Sequence, residues 1–407
     1  MEGLKEIDKA YITMPKGFKA NGISADLKGN NALDVALIIS DVPCNVAGTY
    51  TSNLVKGHSL VRSIDVINQN NKIRGIIVNS KNANACVGQV GYDDACDIAK
   101  TVASEIGCNE NEILTASTGV IGSRLPADKI KAVIPELVKS LSIDEQAAHN
   151  AELAMMTTDT VPKEVSASVT LKNGKQVTIS GMAKGSGMIH PNLATMIGIF
   201  TTDADIDSKV LNTLIHNAVK HTFNRVSVDG DTSVCDMVIV MANGESGVTI
   251  EEGTEDFTIF DEALTSLAND IAQMIASDGE GATKFIEIEV YGAKNEADAK
   301  LIVTSVARSP LCKTAFFGMD ANCGRIITAV GYSGADFDPN KVDLDLSGLP
   351  VYRNGCAIDF DEDLAHELLT KHDINVKITL HEGEAYDRMY TCDFSYDYVK
   401  INGSYRS

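Results

Sequence analysis

The sequence lacks a long apolar run. None of its segments approaches the roughly 18 uninterrupted apolar residues that a membrane-spanning helix needs. The first residues also lack the basic start and apolar core of a secretory signal peptide. Hydrophobic residues nevertheless make up 44% of the 407 residues, which is enough for an extensive core. We therefore expect a cytoplasmic globular protein of two or three domains, without a membrane partner.

Positive charge is scarce. The chain has 35 Lys and Arg against 56 Asp and Glu, which gives a formal net charge of −21. Nucleic acids and anionic membranes bind clustered Lys and Arg, so this balance argues against a nucleic-acid partner. If the substrate is an anion, its charge must be met by a few individual basic residues in a local site.

Paired metal ligands and disulfide spacing are missing as well. The nine cysteines are odd in number, widely spaced and without a C-x-x-C pair. That pattern is typical neither of a disulfide framework nor of a zinc site. Among the eight histidines, His216 and His221 are five residues apart and do not share a helix face. We expect reduced thiols, no structural metal and no cofactor.

What the sequence does contain is a mixture of strand and helix patterns. Strand patterns cover 35–39, 73–78, 165–171, 177–180, 234–241, 285–291, 376–380 and 388–399. Helical periodicity covers 93–106, 127–141, 210–219, 260–275, 295–307 and 361–372. Because the two alternate without a regular βαβ rhythm, the sequence predicts an α+β fold of layered sheets and helices. Asn173-Gly174 predicts a hairpin turn, and the chain from about Asn295 looks like a smaller separate domain.

The most informative stretch is Gly181–Met196, a glycine-rich loop that leads into the strand-like run 196–200. Gly185 and Gly187 permit backbone angles that side chains exclude, and Pro191 restrains the residue before it. Such a loop can hold a peptide bond under strain in front of the strand that follows.

Thr195 stands at the end of this loop, with Ala194 before it. If the Ala194 carbonyl faces the Thr195 hydroxyl, attack gives an ester, and hydrolysis of that ester frees the α-amine of Thr195. An α-amine has a reference pKa of about 7.7–8.0, so it can act as the base for its own hydroxyl. The stretch therefore predicts self-cleavage with Thr195 as the nucleophile. The alternative is that Thr195 is an ordinary β-branched strand residue without a catalytic role.

Two further glycine-containing loops carry polar side chains. Ser117–Gly122 is either a strand-to-helix turn or an oxyanion hole made of a hydroxyl and exposed N–H groups. Asp278–Lys284 is either a helix cap and turn or a loop that presents Glu280 to an amine-bearing substrate. Neither this loop nor Lys184–Gly187 matches the phosphate-binding pattern G-x-x-x-x-G-K-[ST], so nucleotide binding is not expected.

These stretches belong to a larger ordered set of motifs. The set is Asn79–Ala85, Ser117–Gly122, Met156–Thr160, Gly181–Met196, Asp278–Lys284, Ser309–Ala315, Asp320–Ile326 and Ile401–Ser407. In this order, and over nearly the whole chain, it resembles the ornithine acetyltransferase family, the glutamate N-acetyltransferases of arginine biosynthesis. An ordered set of this extent is far more specific than any one of its motifs.

The resemblance implies a layered α/β sandwich with an N-terminal-nucleophile-like site and a smaller C-terminal α/β domain. It implies self-cleavage between Ala194 and Thr195 into an α chain, residues 1–194, and a β chain. In the β chain, 195–294 would complete the core and 295–407 would form the smaller domain. Two copies of each chain would assemble as a heterotetramer. Acetyl transfer would be ping-pong: N2-acetylornithine acetylates Thr195, ornithine leaves, and glutamate takes the acetyl group.

The same resemblance implies roles for individual residues. Thr118 and Gly119 match the oxyanion hole. The positions that match substrate-binding residues are Thr158, Lys184, Thr195, Glu280, Asn402 and Ser407. The chemistry agrees, since Lys184 can neutralise the α-carboxylate that both substrates share and Glu280 can bind a cationic amine.

The sequence departs from the family pattern at a few positions. Lys81 stands where Gly is more common, Ala321 and Cys323 stand where Pro and Trp are common, and Ser407 replaces a terminal Thr. These departures concern packing and substrate affinity rather than the nucleophile. Whether acetyl-CoA is also an acetyl donor is left open. Two other functions stay open: an N-terminal-nucleophile aminopeptidase or amidase that passes the acyl group to water, and a non-catalytic binding protein.

Overall fold

The computed structural model describes residues 4–69, 72–172, 174–190 and 196–404. The chain divides into two compact units. The first comprises Met1–Gly185, Asn192–Asn224 and Thr232–Ile271, and the second comprises Ser186–Pro191, Arg225–Asp231 and Ala272–Ser407. The predicted segments, with boundaries at residues 194 and 294, concern the processed chains and stay a prediction.

Strands and helices occur in both units. The strands are β1 (Leu4–Glu6), β2 (Phe18–Ile23), β3 (Val35–Tyr50), β4 (Lys72–Asn79), β5 (Ile113–Ser117), β6 (Glu164–Thr170), β7 (Gln176–Lys184), β8 (Ile197–Thr202), β9 (Asp205–Ile206), β10 (Val226–Ser227), β11 (Met237–Ala242), β12 (Thr249–Ile250), β13 (Phe285–Ala293), β14 (Asp343–Leu346), β15 (Leu349–Arg353), β16 (Cys356–Ala357), β17 (Asp373–Thr379) and β18 (Ala385–Cys392). The helices are α1 (His58–Gln69), α2 (Gln89–Ile106), α3 (Ala127–Lys139), α4 (Glu145–Met155), α5 (Ser208–His221), α6 (Glu255–Ser277), α7 (Glu296–Arg308), α8 (Pro310–Phe317), α9 (Cys323–Gly331), α10 (Glu362–Thr370) and α11 (Tyr396–Gly403).

The first unit is built on one large sheet. Its strands lie in the order β1-β6-β7-β8-β11-β3-β4-β5, and β2 also pairs with β3. β7 and β8 are antiparallel, whereas β8 pairs with β11 and β4 pairs with β5 in parallel. Since β7 ends at Lys184 and β8 begins at Ile197, the predicted cut falls in the connection between two neighbouring strands of this sheet.

Helices cover both faces of this sheet. Successive residues of a strand point to opposite faces, and Leu37 and Ile38 of β3 accordingly belong to different apolar clusters. The cluster of Leu37 includes residues of α2 and α3, and the cluster of Ile38 includes residues of α1 and α4. Burial of such apolar surface is the dominant favourable term in folding. The predicted α+β fold of layered sheets and helices is confirmed.

The second unit has a mixed sheet of its own, in the order β10-β18-β13-β17-β14-β15-β16. In β13, buried Ile286, Ile288 and Val290 alternate with half-buried Glu287 and Glu289. The buried set forms one apolar cluster with residues of α7, α8 and α9. This alternation is typical of a sheet with one face packed against helices and the other nearer to solvent.

The predicted elements are largely confirmed, with differences at their ends. The strand predicted from Val234 begins at Met237. β6 and β7 pair antiparallel, as the predicted hairpin requires, although Asn173 of its turn lies outside the described residues. Helices α1, α4, α8 and α9 have no counterpart among the predicted helices, although the apolar residues of α1 and α9 do recur at helical spacing.

The end of the chain differs from its prediction. The sequence predicts a strand over 388–399, but β18 ends at Cys392 and α11 begins at Tyr396. The Ser395 hydroxyl caps α11 by accepting N–H groups of its first turn. Aromatic residues favour strands by propensity, and the serine cap outweighs that preference here.

No helix of the described residues combines the length and apolarity that crossing a membrane requires. Within the same ranges, no group of three or more His, Cys, Asp and Glu side chains is arranged to hold a metal ion. The nine cysteines are free thiols.

Candidate active site

The centre of the predicted site lies outside the described residues. The residues concerned are Ala194 and Thr195 of the predicted cut, Pro191 of the loop before it, and Ser407. The chain is described up to His190 before the cut and from Met196 after it. The site is therefore built from the residues that hold these two flanks and from the other predicted site residues.

The loop after β5 holds Thr118 and Gly119, the two residues of the predicted oxyanion hole. Thr118 N–H donates to Asn79 O, and Val120 N–H donates to Lys81 O, each at 3.0 Å. Gly119 lies between them with φ 131°, and a Cβ there would come within 2.2 Å of the Lys81 carbonyl carbon. Among the described residues, the Gly119 N–H has no hydrogen-bond acceptor. That N–H is available to a ligand, as an oxyanion hole requires.

Lys184 is the last residue of β7, and its side chain is buried. Its ammonium Nζ donates to Thr118 Oγ1 at 3.4 Å. The Thr118 oxygen therefore accepts from Lys184, while its O–H stays able to donate elsewhere. The fold thus brings a predicted substrate-binding residue next to a predicted oxyanion-hole residue, although 66 positions separate them in the sequence.

Asp159 supports Lys184, although the sequence analysis gives it no role. It follows Thr158, which is half-buried between α4 and β6. Burial alone would raise the pKa of Asp159, but the charges of Lys184 and Lys163 and two backbone hydrogen bonds outweigh burial and lower the pKa to about 2. Its carboxylate accepts from Lys163 Nζ at 2.9 Å and from Gly185 N–H at 2.5 Å. Asp159 therefore stays ionised at neutral pH and fixes the backbone directly after Lys184.

The flank after the cut is held by Asp236 in the first unit. Asp236 precedes β11, and its Oδ1 accepts the Met196 N–H at 3.2 Å. Met237 N–H donates to Met196 O at 3.1 Å. Sequence reasoning misses Asp236 because a single Asp before a strand belongs to no motif in the ordered set; its proximity to the cut arises only from the pairing of β8 with β11.

The flank before the cut is held by Asp229 in the second unit. The Asp229 carboxylate accepts the N–H groups of Met188 at 2.5 Å and of Ile189 at 2.9 Å. Val228 N–H donates to Ile189 O at 2.8 Å. Burial raises the pKa of Asp229 to about 6, although these N–H groups act in the opposite direction. Backbone conformation at this flank is therefore tied to one half-buried carboxyl group.

Glu280 lies in the loop between α6 and β13, and its side chain is buried. Its N–H donates to Ser186 O at 3.0 Å, and Asn402 of α11 donates from Nδ2 to Glu280 Oε2 at 2.8 Å. The carboxylate passes directly over Gly187, where a Cβ would come within 2.3 Å of Glu280 Cδ. A buried carboxylate is best matched by an opposite charge, so this arrangement suits a cationic amine.

The structure corrects the predicted reason for one glycine of the loop. The sequence predicts that Gly187 supplies an unusual backbone angle, but its φ is not in the left-handed region; Glu280 excludes a side chain there. The residue with positive φ is Met188, at 56°, a conformation that costs a non-glycine residue free energy. Lys81, at φ 73°, is also in this region, which explains why glycine suits that position better.

Two other departures from the family pattern lie at the start of α9. Cys323 is the first residue of the helix, and Ala321 precedes the Asn322 that caps it. Both side chains are partly buried against the apolar cluster of the second unit. Their effect is therefore on the packing of that unit.

The first-unit residues can stabilise negative charge. Gly119 N–H and Thr118 O–H can both donate to an oxyanion, and the Lys184 ammonium adds positive charge in a buried position, where its electrostatic effect is larger than in water. In a chain of net charge −21, this is the local cationic site that the composition requires for an anionic substrate.

Comparisons with known proteins extend over nearly the whole chain. Residues 19–407 match the model of the ArgJ family. The chain is 44% identical to the arginine biosynthesis bifunctional protein ArgJ of Caldanaerobacter subterraneus subsp. tengcongensis, over 99% of this chain and 100% of that protein. It is 46% identical to the protein of the same name from Symbiobacterium thermophilum, over 97% of this chain and 98% of that protein.

Among solved structures, ornithine acetyltransferase from Mycobacterium tuberculosis, complexed with ornithine, is 34% identical. The match covers 47% of this chain and 100% of that chain, with a TM-score of 0.43. The family match and the identities over full-length relatives confirm the resemblance that the motifs predict: this chain belongs to the ArgJ family, whose named members act in arginine biosynthesis.

Proposed function

We propose that this chain cuts itself between Ala194 and Thr195 and then transfers an acetyl group from N2-acetylornithine to glutamate. The new N-terminal Thr195 carries the acetyl group as an ester between the two half-reactions. The observation that carries the proposal is the contact of Lys184 Nζ with Thr118 Oγ1, beside the available Gly119 N–H. This arrangement combines donors for an oxyanion with a cation that can bind the carboxylate of a substrate.

In the cleavage step, the Thr195 hydroxyl attacks the carbonyl carbon of Ala194. The C–N bond breaks, an ester forms, and water hydrolyses the ester to a carboxylate and a free α-amine. Attack needs a fixed approach of the reacting groups. Asp229 holds the chain before the cut within the second unit, and Asp236 holds the chain after it within the first unit.

In the transfer step, the α-amine of Thr195 takes the hydroxyl proton while the oxygen attacks the acetyl carbonyl of N2-acetylornithine. The oxyanion accepts from Gly119 N–H and Thr118 O–H, and the proton moves to the departing α-amine of ornithine. The α-amine of glutamate then attacks the acetyl ester by the reverse sequence. A missing oxyanion donor typically costs about 100- to 1,000-fold in rate, so these two donors account for a large part of the catalysis.

Substrate recognition follows from charge. The α-carboxylate shared by acetylornithine and glutamate pairs with Lys184, in a charge-assisted hydrogen bond that is stronger than a neutral one. The side-chain ammonium of acetylornithine pairs with Glu280, which Asn402 orients. Thr158 and Ser407 supply hydroxyl contacts at positions that match the family's substrate-binding residues.

Four further properties belong to the proposal. The two products of cleavage stay together as a heterotetramer of two α and two β chains, and the enzyme acts in the cytoplasm. Acetyl-CoA serves as a second acetyl donor, because the relatives carry the name bifunctional. No bound cofactor takes part, since the proposed steps use only Thr195, the oxyanion donors and the substrates.

A denaturing gel tests the cleavage. The purified protein should give two bands of nearly equal mass, each roughly half of the 43.5 kDa chain. Thr195→Ala should give one full-length band and no acetyl transfer, because both steps need the hydroxyl. Thr195→Ser keeps a hydroxyl and should still be cut. A wild-type chain that stays full-length after long incubation would remove the proposal.

A second assay separates transfer from hydrolysis. With N2-acetylornithine and glutamate present, N-acetylglutamate should form faster than free acetate. Acetate release that outpaces transfer would instead favour the amidase alternative, in which water is the acceptor. If the wild-type chain bound the substrates but gave neither transfer nor acetate release, the chain would be a binding protein.

A further inference from the structure

A chain of buried side-chain hydrogen bonds adjoins the oxyanion loop, residues Thr118–Gly122, and has no part in the proposed steps. Ser117, the last residue of β5, donates from Oγ to Asn79 Oδ1 at 2.6 Å. Its Oγ also lies 2.7 Å from Ser59 Oγ of α1, and Asn84 Nδ2 donates to Ser59 Oγ at 3.0 Å. These four side chains are buried, and none of them is more than 4% exposed.

The direction of this chain follows from the number of hydrogens available. A serine hydroxyl has one hydrogen to donate, and the Ser117 hydrogen goes to Asn79 Oδ1, which can only accept. Ser59 must therefore donate to Ser117, and Ser59 in turn accepts from Asn84. The Ser117 hydroxyl is thus occupied both as a donor and as an acceptor. Ser117 is therefore not itself an oxyanion donor.

Asn79 connects the chain of hydrogen bonds to the oxyanion loop. Its carbonyl oxygen accepts the Thr118 N–H at 3.0 Å, directly before Gly119. Its Nδ2 donates to Asn82 O at 3.0 Å, and Asn82 Nδ2 donates to Ser123 O at 3.0 Å, just beyond the loop. Asn79 and Asn82 therefore hold the oxyanion loop at both of its ends.

The segment after Asn79 adopts an unfavourable backbone conformation. Lys81 and Cys86 have φ of 73° and 61°, and a positive φ costs a non-glycine residue free energy. It persists where surrounding bonds outweigh that cost. Asn84, between these two residues, donates from Nδ2 to Gly91 O at 2.8 Å as well as to Ser59. The same chain of hydrogen bonds therefore also supports the backbone of this segment.

We propose that Ser117 is a positioning residue of the oxyanion hole. Through Asn79 it fixes the backbone at Thr118, and with it the direction of the Thr118 O–H and of the Gly119 N–H. The substrate contacts those two donors and not Ser117. Donors that are held in place before the reaction need no rearrangement when negative charge develops. This inference rests on the proposed function and gives a role to the motif Asn79–Ala85, which that function leaves without one.

Ser117→Ala removes the middle of the chain of hydrogen bonds. Asn79 Oδ1 then loses its donor and Ser59 loses its acceptor, so the oxyanion loop is held less firmly. Misplacement of a reacting group by about 1 Å can lower a rate about 100-fold, and we expect kcat for N-acetylglutamate formation to fall about 10- to 100-fold. KM for both substrates should change little, because the donors act in the transition state of both half-reactions.

Ser63→Ala is the matched control. Ser63 lies on α1, one turn after Ser59, and its buried Oγ donates to Thr115 O at 2.7 Å and accepts the Thr115 N–H at 2.8 Å. The substitution removes a buried hydroxyl between the same two elements, α1 and β5, but the hydrogen bonds it breaks end at Thr115, two residues before Ser117. Ser63→Ala should be destabilised towards urea, as Ser117→Ala is, and should keep the wild-type kcat.

Steady-state kinetics are measured on the full chain after cleavage, and kcat is expressed per cleaved chain as quantified on a denaturing gel. Any effect of a substitution on self-cleavage is thereby removed from the comparison. A double-mutant cycle with Thr118→Ala provides a readout that a general loss of stability would not move. The two effects should combine to less than their product, because Thr118→Ala has already removed one of the donors that Ser117 positions.

The outcomes separate this inference from the function on which it rests. A wild-type chain that transfers no acetyl group contradicts the proposed function, and the inference falls with it. With an active wild type, the positioning role is overturned by an unchanged kcat in Ser117→Ala, by an equal fall of kcat in Ser63→Ala, or by effects that multiply in the cycle. If Ser117→Ala did not fold or was not cut, Ser59→Ala, which removes the hydrogen that Ser117 accepts, would decide by the same criteria.

Discussion

At the scale of single residues, the oxyanion site depends on which donors are already in use. The Thr118 backbone N–H is bound to Asn79 O, and its hydroxyl oxygen accepts from Lys184. Thr118 therefore has only its O–H to offer a substrate. Gly119 offers its backbone N–H instead. A substitution of the Thr118 side chain can therefore remove the Thr118 O–H and leave the Gly119 N–H in place.

Thr118→Ala should lower kcat for N-acetylglutamate formation by about 100-fold, or roughly 3 kcal/mol in the barrier, with little change in KM. The donor acts on charge that develops in the transition state, which is why kcat responds. Thr118→Ser should recover most of the rate. Thr101→Ala, which removes a hydroxyl bound only within α2, is the control, and an unchanged kcat in Thr118→Ala would remove Thr118 from the oxyanion hole.

Gly187 tests the position of Glu280. In Gly187→Ala the new methyl would come within 2.3 Å of Glu280 Cδ, so the carboxylate has to move. We expect KM for N2-acetylornithine to rise by about tenfold, the equivalent of about 1.4 kcal/mol. Gly331→Ala on α9 is the control, since nothing lies within 4 Å of its Cβ position. Steady-state kinetics with wild-type KM in Gly187→Ala would show that Glu280 does not bind the donor.

Motifs in the sequence identify some site residues and not others. Lys184 and Thr118 stand in glycine-containing loops whose pattern predicts a role. Asp159 lies in the motif Met156–Thr160 but has no predicted role, and Asp236 lies in no motif. The significance of both depends on burial and on neighbours supplied by other parts of the chain. A carboxyl group gives no indication in the sequence of whether it will be ionised beside two lysines or neutral in an apolar setting.

At the scale of elements, a short segment of the second unit holds the backbone of the chain before the cut. Asp229 and Val228 hold Met188 and Ile189 through three hydrogen bonds. The sequence predicts strain in this loop but assigns it to the glycines. The structure instead gives a positive φ to Met188, whose N–H donates to the Asp229 carboxylate. A positive φ costs a non-glycine residue free energy, and it persists where surrounding bonds outweigh that cost.

Asp229 should make stability depend on pH. Its pKa is raised to about 6 by burial, against about 3.9 in an unfolded chain. The folded chain binds this proton more tightly, so the associated stability is fully present below about pH 4 and is lost as pH rises through about 6. In Asp229→Asn, which cannot titrate, the fall in unfolding free energy between these pH values should be smaller, by at most about 3 kcal/mol.

Urea unfolding of both proteins at a series of pH values measures this difference. Asp359→Asn, a change at an exposed aspartate far from Asp229 in the sequence, is the control and should follow the wild-type profile. Parallel profiles for the wild type and Asp229→Asn would contradict the role given to the Asp229 carboxyl group.

At the scale of the whole molecule, the charge distribution matters more than its sum. A net charge of −21 does not exclude a substrate that carries a carboxylate, because Lys184 is buried beside the proposed oxyanion donors and acts at short range. Longer-range repulsion between the acidic surface and an anion is screened within about 8 Å at physiological ionic strength. The positive charge of Lys184 therefore acts within the local site, whereas the acidic composition describes the chain as a whole.

The choice of acetyl donor belongs to this scale, because no single described residue decides it. Glutamate and acetyl-CoA, without acetylornithine, should yield N-acetylglutamate and free CoA, and Thr195→Ala should yield neither. The thiol release can be followed directly. If glutamate is acetylated only when N2-acetylornithine is present, acetyl-CoA is not a donor for this chain.

By itself, the sequence determined the family, the α+β class and the position of the predicted nucleophile. Motif order and hydrophobic periodicity can be read from the sequence without coordinates. Only the tertiary structure decided which groups meet. It set Lys184 against Thr118, Glu280 over Gly187, and Asp236 beside Met196. The reason is that pKa, hydrogen-bond availability and close packing depend on neighbours distant in the chain, which strand pairing and burial bring together.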